Sequence, residues 1–260
     1  MSQPAVKALD LPFELVYSDG IPLDGHRQRI QMNLLIDVIR QAMAARGQED
    51  FFTGGDMFVY YSLEQARDVV EGRRYFRGPD VFFVDHVAPK KEERKAWVSW
   101  EEDGRLPDLI VEILSPSTEK IDRNDKMKLY SRVFRTRDYF LYDLASATLD
   151  GFRLAGDLYQ PIRPDAQGRL RSEVLGLDLG LWQGIVEGEE TTWARLFAPD
   201  GGLVPTLAEA ASQRAEAESQ RAEAESQRAE AESQRAEAAE AEVARLRALL
   251  QERKGLASES

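Results

Sequence analysis

The chain has 260 residues, 34 Lys and Arg against 46 Asp and Glu for a formal charge of −12, and no cysteine. Disulfides and thiolate metal sites are thereby excluded, bulk positive charge for coating nucleic acid is absent, and no run approaches the roughly 20 apolar residues of a membrane span. Without a basic, apolar leader at the N-terminus, a cytoplasmic protein with enough chain to bury a full core is expected.

Residues 13–24 combine an extended piece with turn signals at Ser18, Asp19, Gly20 and Pro22. Over 26–46, Ile30, Leu34 and Val38 form one row at helical spacing, and Met32, Leu35, Ile36, Ile39 and Met43 form a second. The pattern predicts a helix packed against a sheet, ended by Gly47, which tolerates positive φ. His26, just ahead of the apolar face, reads as a cap, a core residue or an accessory to a site. Strands are expected over 51–62 and 79–87, with a short helix over 64–71 between them. Residues 89–105 place Lys90, Lys91, Arg94 and Lys95 ahead of Trp97 and Trp100. This reads as an exposed loop or mobile excursion whose tryptophans anchor the loop or stack on bases.

The stretch over 107–130, PDLIVEILSPSTEKIDRNDKMKLY, carries the chemistry. Leu109, Ile110, Val111, Ile113 and Leu114 make a buried strand bounded by proline on both sides. Glu112 interrupts it, and a carboxylate inside a buried strand is costly unless an arginine, a lysine or a metal ion pairs with it. A turn over 115–118 leads to a helix over 122–135. A strand over 138–143, a hairpin over 146–162 and short strands over 175–187 continue the sheet.

From Ser212 the chain repeats SQRAEAE at Ser212, Ser219 and Ser226, then SQRAEAA at Ser233. This is a strict seven-residue period of strong helix formers. Pairs such as Arg214 and Glu218 support one long helix. Only alanine fills the candidate seam until Val243, Leu246 and Leu250, so a weak alanine coiled coil and a solvated single helix both remain open. Two domains are therefore expected, 1–205 globular and 206–260 a helical heptad-repeat tail, with self-association favoured at the tail's apolar end.

If 79–84 pairs antiparallel with 108–114, Asp80 comes beside Glu112. Asp108 is a weaker partner for Glu112, since four residues along a strand put two side chains about 13 Å apart. Asp80 and Glu112 together suit a hard divalent cation, Mg²⁺ or Mn²⁺. Asp122, Lys126 and Tyr130 follow at helical spacing on one face, so that Lys126 can reach the same carboxylates. Residues 119–137 hold seven basic against three acidic side chains. Lys120, Arg123, Lys128 and Arg132 therefore offer a positive lip of the kind a phosphodiester substrate requires.

The GPDVFFV strand with Asp80, PDLIVEILSPST, the spacing of Asp122, Lys126 and Tyr130, DYFLYDL and the N-terminal SDGIPLDGHRQRIQMNLLI together resemble the Uma-two family of restriction endonucleases, within the PD-(D/E)xK nuclease superfamily. The resemblance covers roughly residues 13–198 and leaves out the tail. It implies an α/β, restriction-endonuclease-like mixed β-sheet flanked by helices, with divalent metal and a lysine promoting hydrolysis of DNA. Carried over, Asp80 and Glu112 are the acidic metal ligands, while the superfamily's lysine position falls on Leu114. Lys126 from the following helix is inferred to replace it, with His26, Asp108, Asp122 and Tyr130 as accessory candidates.

Two functions of different class follow. One is a Mg²⁺- or Mn²⁺-dependent endonuclease acting on DNA. The other is a catalytically inactive protein of the same fold that binds nucleic acid or assembles through its tail. The absence of lysine at 114 favours the second, and the acids with Lys126 favour the first.

Overall fold

In the computed structural model, which describes residues 11–17, 25–73, 78–90, 92–115 and 122–257, the central strand is β5 (Leu109–Leu114), buried at every position. Its neighbours are β3 (Val81–Asp85), antiparallel, and β6 (Asp138–Asp143), parallel. Beyond them lie β1 (Phe51–Gly54) on one side and β7 (Thr148–Ala155) with β8 (Leu158–Pro161) on the other, giving the order β1-β3-β5-β6-β7-β8. A parallel pair needs a crossover, and the described part of this one includes a helix over 122–134, α3.

Strand alternation divides β5 between two cores. Leu109, Val111 and Ile113 pack with Ile30, Leu35 and Met43 of α1 (His26–Ala45). Ile110 and Leu114 pack with Tyr130 and Phe134 of α3. Each fully buried aliphatic or phenyl side chain contributes about 1.5–3 kcal/mol, so strand register is tightly fixed, because a slip of one residue would turn each apolar set to the wrong face. Glu112 necessarily lies on the α3 face, with Ile110 and Leu114.

A second, antiparallel sheet of β9 (Leu170–Ser172), β10 (Leu177–Val186) and β11 (Glu189–Phe197) covers the outer side of α1. Gln31, fully buried on α1, holds it there. Its Nε2 donates to the Ala194 carbonyl at 3.0 Å, and its Oε1 accepts from the Ala194 N–H at 2.8 Å.

The helix expected over 26–46 ends as anticipated, with Gly47 at φ +67°. Other expectations need correction. The strand expected over 51–62 is two short ones, β1 and β2 (Val59–Tyr60), because the chain bends at Gly55 and Asp56. A side chain at Gly55 would collide with the carbonyl of Asp80, and one at Gly78 with that of Met57. These glycines let the two backbones touch, and the Asp56 N–H donates to Pro79 O at 3.1 Å. The segment after α2 (Leu63–Val70) leads into β3.

Residues 89–105 are not simply an exposed loop. Trp97 is fully buried in β4 (Trp97–Val98), which pairs parallel to β2, and its Nε1 donates to Arg105 O. Lys90 and Arg94 both pair with the buried Glu102. With its ring against Phe52 and Phe82, Trp97 is a core anchor and no platform for bases. The short strands expected over 175–187 are one ten-residue strand, β10, within the second sheet.

The second compact unit begins at Ala208. Its described residues all belong to α4 (Leu207–Ala257), 51 residues long, which starts at the last residue of the first unit and carries the repeats. Among the described residues no helix is long and apolar enough to cross a membrane. The architecture is a mixed α/β fold with a multi-strand mixed sheet and a long C-terminal helix, compatible with a restriction-endonuclease-like core.

Candidate active site

Antiparallel pairing of Val81 with Val111, continued by one residue, sets Asp80 opposite Glu112. Two hydrogen bonds lock this arrangement at the strand end. The Ile113 N–H donates to Asp80 Oδ2 at 2.7 Å, and the Asp80 N–H donates to Glu112 Oε2 at 3.3 Å. Asp80 remains partly exposed, whereas Glu112 has no exposed surface.

The remaining groups descend from α3. Its two ends are wound in wide π-type turns around a short α-helical middle, a winding often found at functional sites. Its start is tied down by Tyr139, whose hydroxyl donates to the Asp122 carbonyl at 2.9 Å. Lys126 Nζ lies 3.0 Å from Glu112 Oε2 and 2.9 Å from Asp122 Oδ1. One turn on, the Tyr130 hydroxyl donates to Glu112 Oε1 at 2.8 Å. Glu112 thus receives three donors, which is how a carboxylate survives inside a strand.

The electrostatics follow from burial. Burial pushes the Glu112 carboxyl up to about 8, against the pull of Lys126 and with the support of Asp80 and Asp122. Burial also raises Asp80. Burial alone would lower Lys126, but Glu112, Asp122 and Asp80 outweigh it and hold the ammonium more firmly protonated than an ordinary lysine. The Tyr130 hydroxyl is raised well above its usual range by burial and by Glu112, and therefore stays a donor.

Residues 13–186 match the Uma2 family, whose description is putative restriction endonuclease. The chain belongs to the Uma2 family. The Uma-two resemblance carried by GPDVFFV and PDLIVEILSPST thus stands, and the family's description suggests a nuclease. No curated protein matches the chain.

Within this Uma2 chain the structure gathers four of the sequence candidates around Glu112 itself: Asp80, Asp122, Lys126 and Tyr130. It separates others. His26 is exposed at the start of α1, with its Nδ1 at 2.9 Å from Arg29. Asp108 sits at the opposite end of β5, accepting from the Asp85 N–H and pairing with Arg137, so its role is to clamp strand ends. Arg123 bridges to Asp150 at 2.9 Å. Lys128 and Arg132 are exposed on α3, and Lys120 lies outside the described residues. Leu114, at the superfamily's lysine position, is packed in the apolar core beside Tyr130.

Gln28 was not anticipated from the sequence. It is buried on α1, and its Nε2 reaches both Asp80 Oδ1 at 3.5 Å and the Ile113 carbonyl at 3.4 Å. A glutamine two residues into an amphipathic helix carries no signal of this in the sequence. Only the packing of α1 against the end of β5 reveals it.

The donors suit a divalent metal in kind, since all are hard carboxylate oxygens. Two carboxylates pair with the one ammonium, and Asp122 Oδ2, in a residue 1% exposed, has no hydrogen-bond partner among the described residues. As the side chains stand, no three carboxylate or histidine groups among the described residues form a ready chelate. The ammonium of Lys126 lies between Glu112 and Asp122, where a second cation would have to compete with it.

Proposed function

We propose that this Uma2 protein is a metal-dependent endonuclease that hydrolyses phosphodiester bonds of DNA. The observation that carries the reading is the juxtaposition of Asp80 and Glu112 across β3 and β5 with the Lys126 ammonium 3.0 Å from Glu112. Asp80 and Glu112 would hold Mg²⁺ or Mn²⁺, which when bound polarises a phosphate oxygen and lowers the pKa of a coordinated water.

The chain's own groups supply the rest. Asp80 and Lys126, both partly exposed, are the members of the cluster that an incoming phosphate would meet. Lys126 provides a fixed positive charge for the charge that builds on the phosphate in the transition state, doing from α3 what a lysine at 114 would do from β5. Tyr130 and Gln28 orient Glu112 and Asp80. Lys128, Arg132 and, when its bridge to Asp150 opens, Arg123 meet the DNA backbone, as does Lys120.

A second reading has its own support: Leu114 is an apolar core residue, and Lys126 already satisfies two carboxylates. In that reading the fold binds nucleic acid without cutting it, or serves assembly through α4. Incubation of purified protein with plasmid and single-stranded DNA in Mg²⁺, Mn²⁺ or EDTA separates the two. Cleavage that needs metal and disappears in Asp80→Ala, Glu112→Ala and Lys126→Ala supports the nuclease. Cleavage surviving in both carboxylate variants defeats the assignment of this site, and absence of cleavage in every condition favours the binding reading.

A further inference from the structure

We infer that Asp122 is a third metal ligand of this site, and that a divalent cation and the Lys126 ammonium exchange places among the carboxylates. The inference rests on the proposed metal dependence and extends it to a residue borne by α3, outside the two strands.

The argument begins from Asp122's environment. Its side chain is 1% exposed, its backbone is anchored through the Tyr139 hydroxyl, and its Oδ1 is 2.9 Å from Lys126 Nζ. Its Oδ2 has no donor among the described residues. Buried carboxylate oxygens are normally satisfied, and one that is not calls for a missing partner. A structural ion pair does not explain it. Lys126 carries one positive charge and already serves Glu112 at 3.0 Å, so the ammonium is divided between two anions while Asp80 adds a third.

The placement has a chemical reason as well. Asp80 spends Oδ2 on the Ile113 N–H, and Glu112 spends Oε1 on the Tyr130 hydroxyl. These bonds fix each strand carboxylate, and the second oxygens hold partners that a metal would displace: Asp80 Oδ1 has Gln28 Nε2 at 3.5 Å, and Glu112 Oε2 has Lys126 Nζ and the Asp80 N–H. A hard cation wants several oxygen ligands, and Asp122 Oδ2 is the buried carboxylate oxygen with nothing else to do. A bound divalent ion would compete with the Lys126 ammonium for Glu112 Oε2 and Asp122, leaving the ammonium to face substrate. The metal-free pairing is then a resting state that keeps three acids folded together until metal binds.

The test uses Mn²⁺ as the probe, read by electron paramagnetic resonance of free ion and by the melting temperature with and without Mn²⁺, on the full chain. Asp122→Asn keeps the shape and removes the charge. The expected result is Mn²⁺ affinity reduced at least tenfold, in the range that even indirect supports of metal sites produce, together with a metal-free melting temperature equal to or above wild type. A merely structural Asp122 gives the reverse, a lower metal-free melting temperature with undiminished Mn²⁺ affinity, and overturns the inference. If Asp122→Asn binds as wild type while Glu112→Gln does not, the inference fails and the nuclease reading stands. If wild type binds no Mn²⁺, both fail. Anomalous scattering from Mn²⁺-soaked wild-type crystals needs no variant to fold. An ion about 2.1 Å from an Asp122 oxygen sustains the proposal, and an ion held by Asp80 and Glu112 away from Asp122 ends it.

Discussion

Lys126 Nζ and Glu112 Oε2 lie 3.0 Å apart across the interface between α3 and β5, the carboxylate fully buried and the lysine side chain 11% exposed. An ion pair so enclosed depends on both partners, because removing either strands the other charge in a medium that solvates it poorly. Lys126→Met is therefore expected to destabilise the metal-free protein by about 3–5 kcal/mol above pH about 8, where Glu112 is ionised, measured by urea denaturation. The double variant Lys126→Met with Glu112→Gln recovers much of that loss, since the stranded charge is gone too. Additive losses in the two variants would show that the pair is not coupled.

The same burial sets a pH dependence. Glu112 is pushed up to about 8 from an ordinary 4.5, chiefly by burial. The folded chain therefore holds this proton more tightly than the unfolded chain. That contribution is complete below about 4.5, the unfolded value, and is lost as pH rises through about 8. The urea midpoint of metal-free protein is expected to fall across this window, and Glu112→Gln to flatten the slope. A midpoint that climbs through the same window in wild type would contradict the sign.

Much of this was legible before any coordinates. The pairing that brings Asp80 to Glu112 follows from two buried strands with prolines at their starts, and the positions of Lys126 and Tyr130 follow from spacing alone, because i, i+4 steps share a face in α-helical and wider turns alike. What was hidden depended on distant chain segments. Trp97 sat among lysines and arginines and read as loop, but Lys90 and Arg94 turn to Glu102, a residue that sequence counts as one more surface acid. The break between β1 and β2 is forced by contacts of Gly55 and Gly78 with backbone elsewhere in the chain. Gln28 looked like an ordinary polar position until α1 was placed against Ile113 and Asp80.

Tyr130 tests how far Glu112 needs its third donor. Its ring packs against Phe134 at 5.2 Å and Tyr139 at 5.4 Å, contacts that Tyr130→Phe retains. The variant loses only the 2.8 Å hydrogen bond to Glu112 Oε1. A buried acceptor left without its donor costs about 1–3 kcal/mol, so a stability loss of that size with native circular dichroism is expected. The proposed DNA cleavage is expected to fall with it as Glu112 loses its fixed orientation. A variant as stable as wild type would mean that another donor takes the hydroxyl's place.

Gln28 acts on the other carboxylate. Gln28→Leu fills nearly the same volume without an amide donor, leaving Asp80 Oδ1 and the Ile113 carbonyl without it. Groups that orient a ligating carboxylate typically affect metal affinity by about 10–100-fold. Mn²⁺ titration of this variant is expected to show a loss in that range, with full binding capacity at higher metal concentration. Unchanged affinity would remove Gln28 from the site and leave it as a link between α1 and β5.

The tail makes a separate prediction. Described side chains from Ala211 to Arg247 on α4 are exposed, so the helix draws its stability from alanine-rich propensity and charge pairs and not from a core of its own. Beyond Leu207, Val243 and Leu246, 46% and 51% exposed, are the largest apolar groups described on it and the place where a second copy would gain most by burial. A chain ending at Leu207 is expected to keep the melting temperature and metal-dependent cleavage of the whole, because every residue of the proposed site lies before that point. Sedimentation equilibrium is expected to show self-association in the full chain, weakened by Val243→Ala with Leu246→Ala and absent after truncation. If the shortened chain associates as strongly as the whole, the contact belongs to the globular unit and the repeats serve as a spacer.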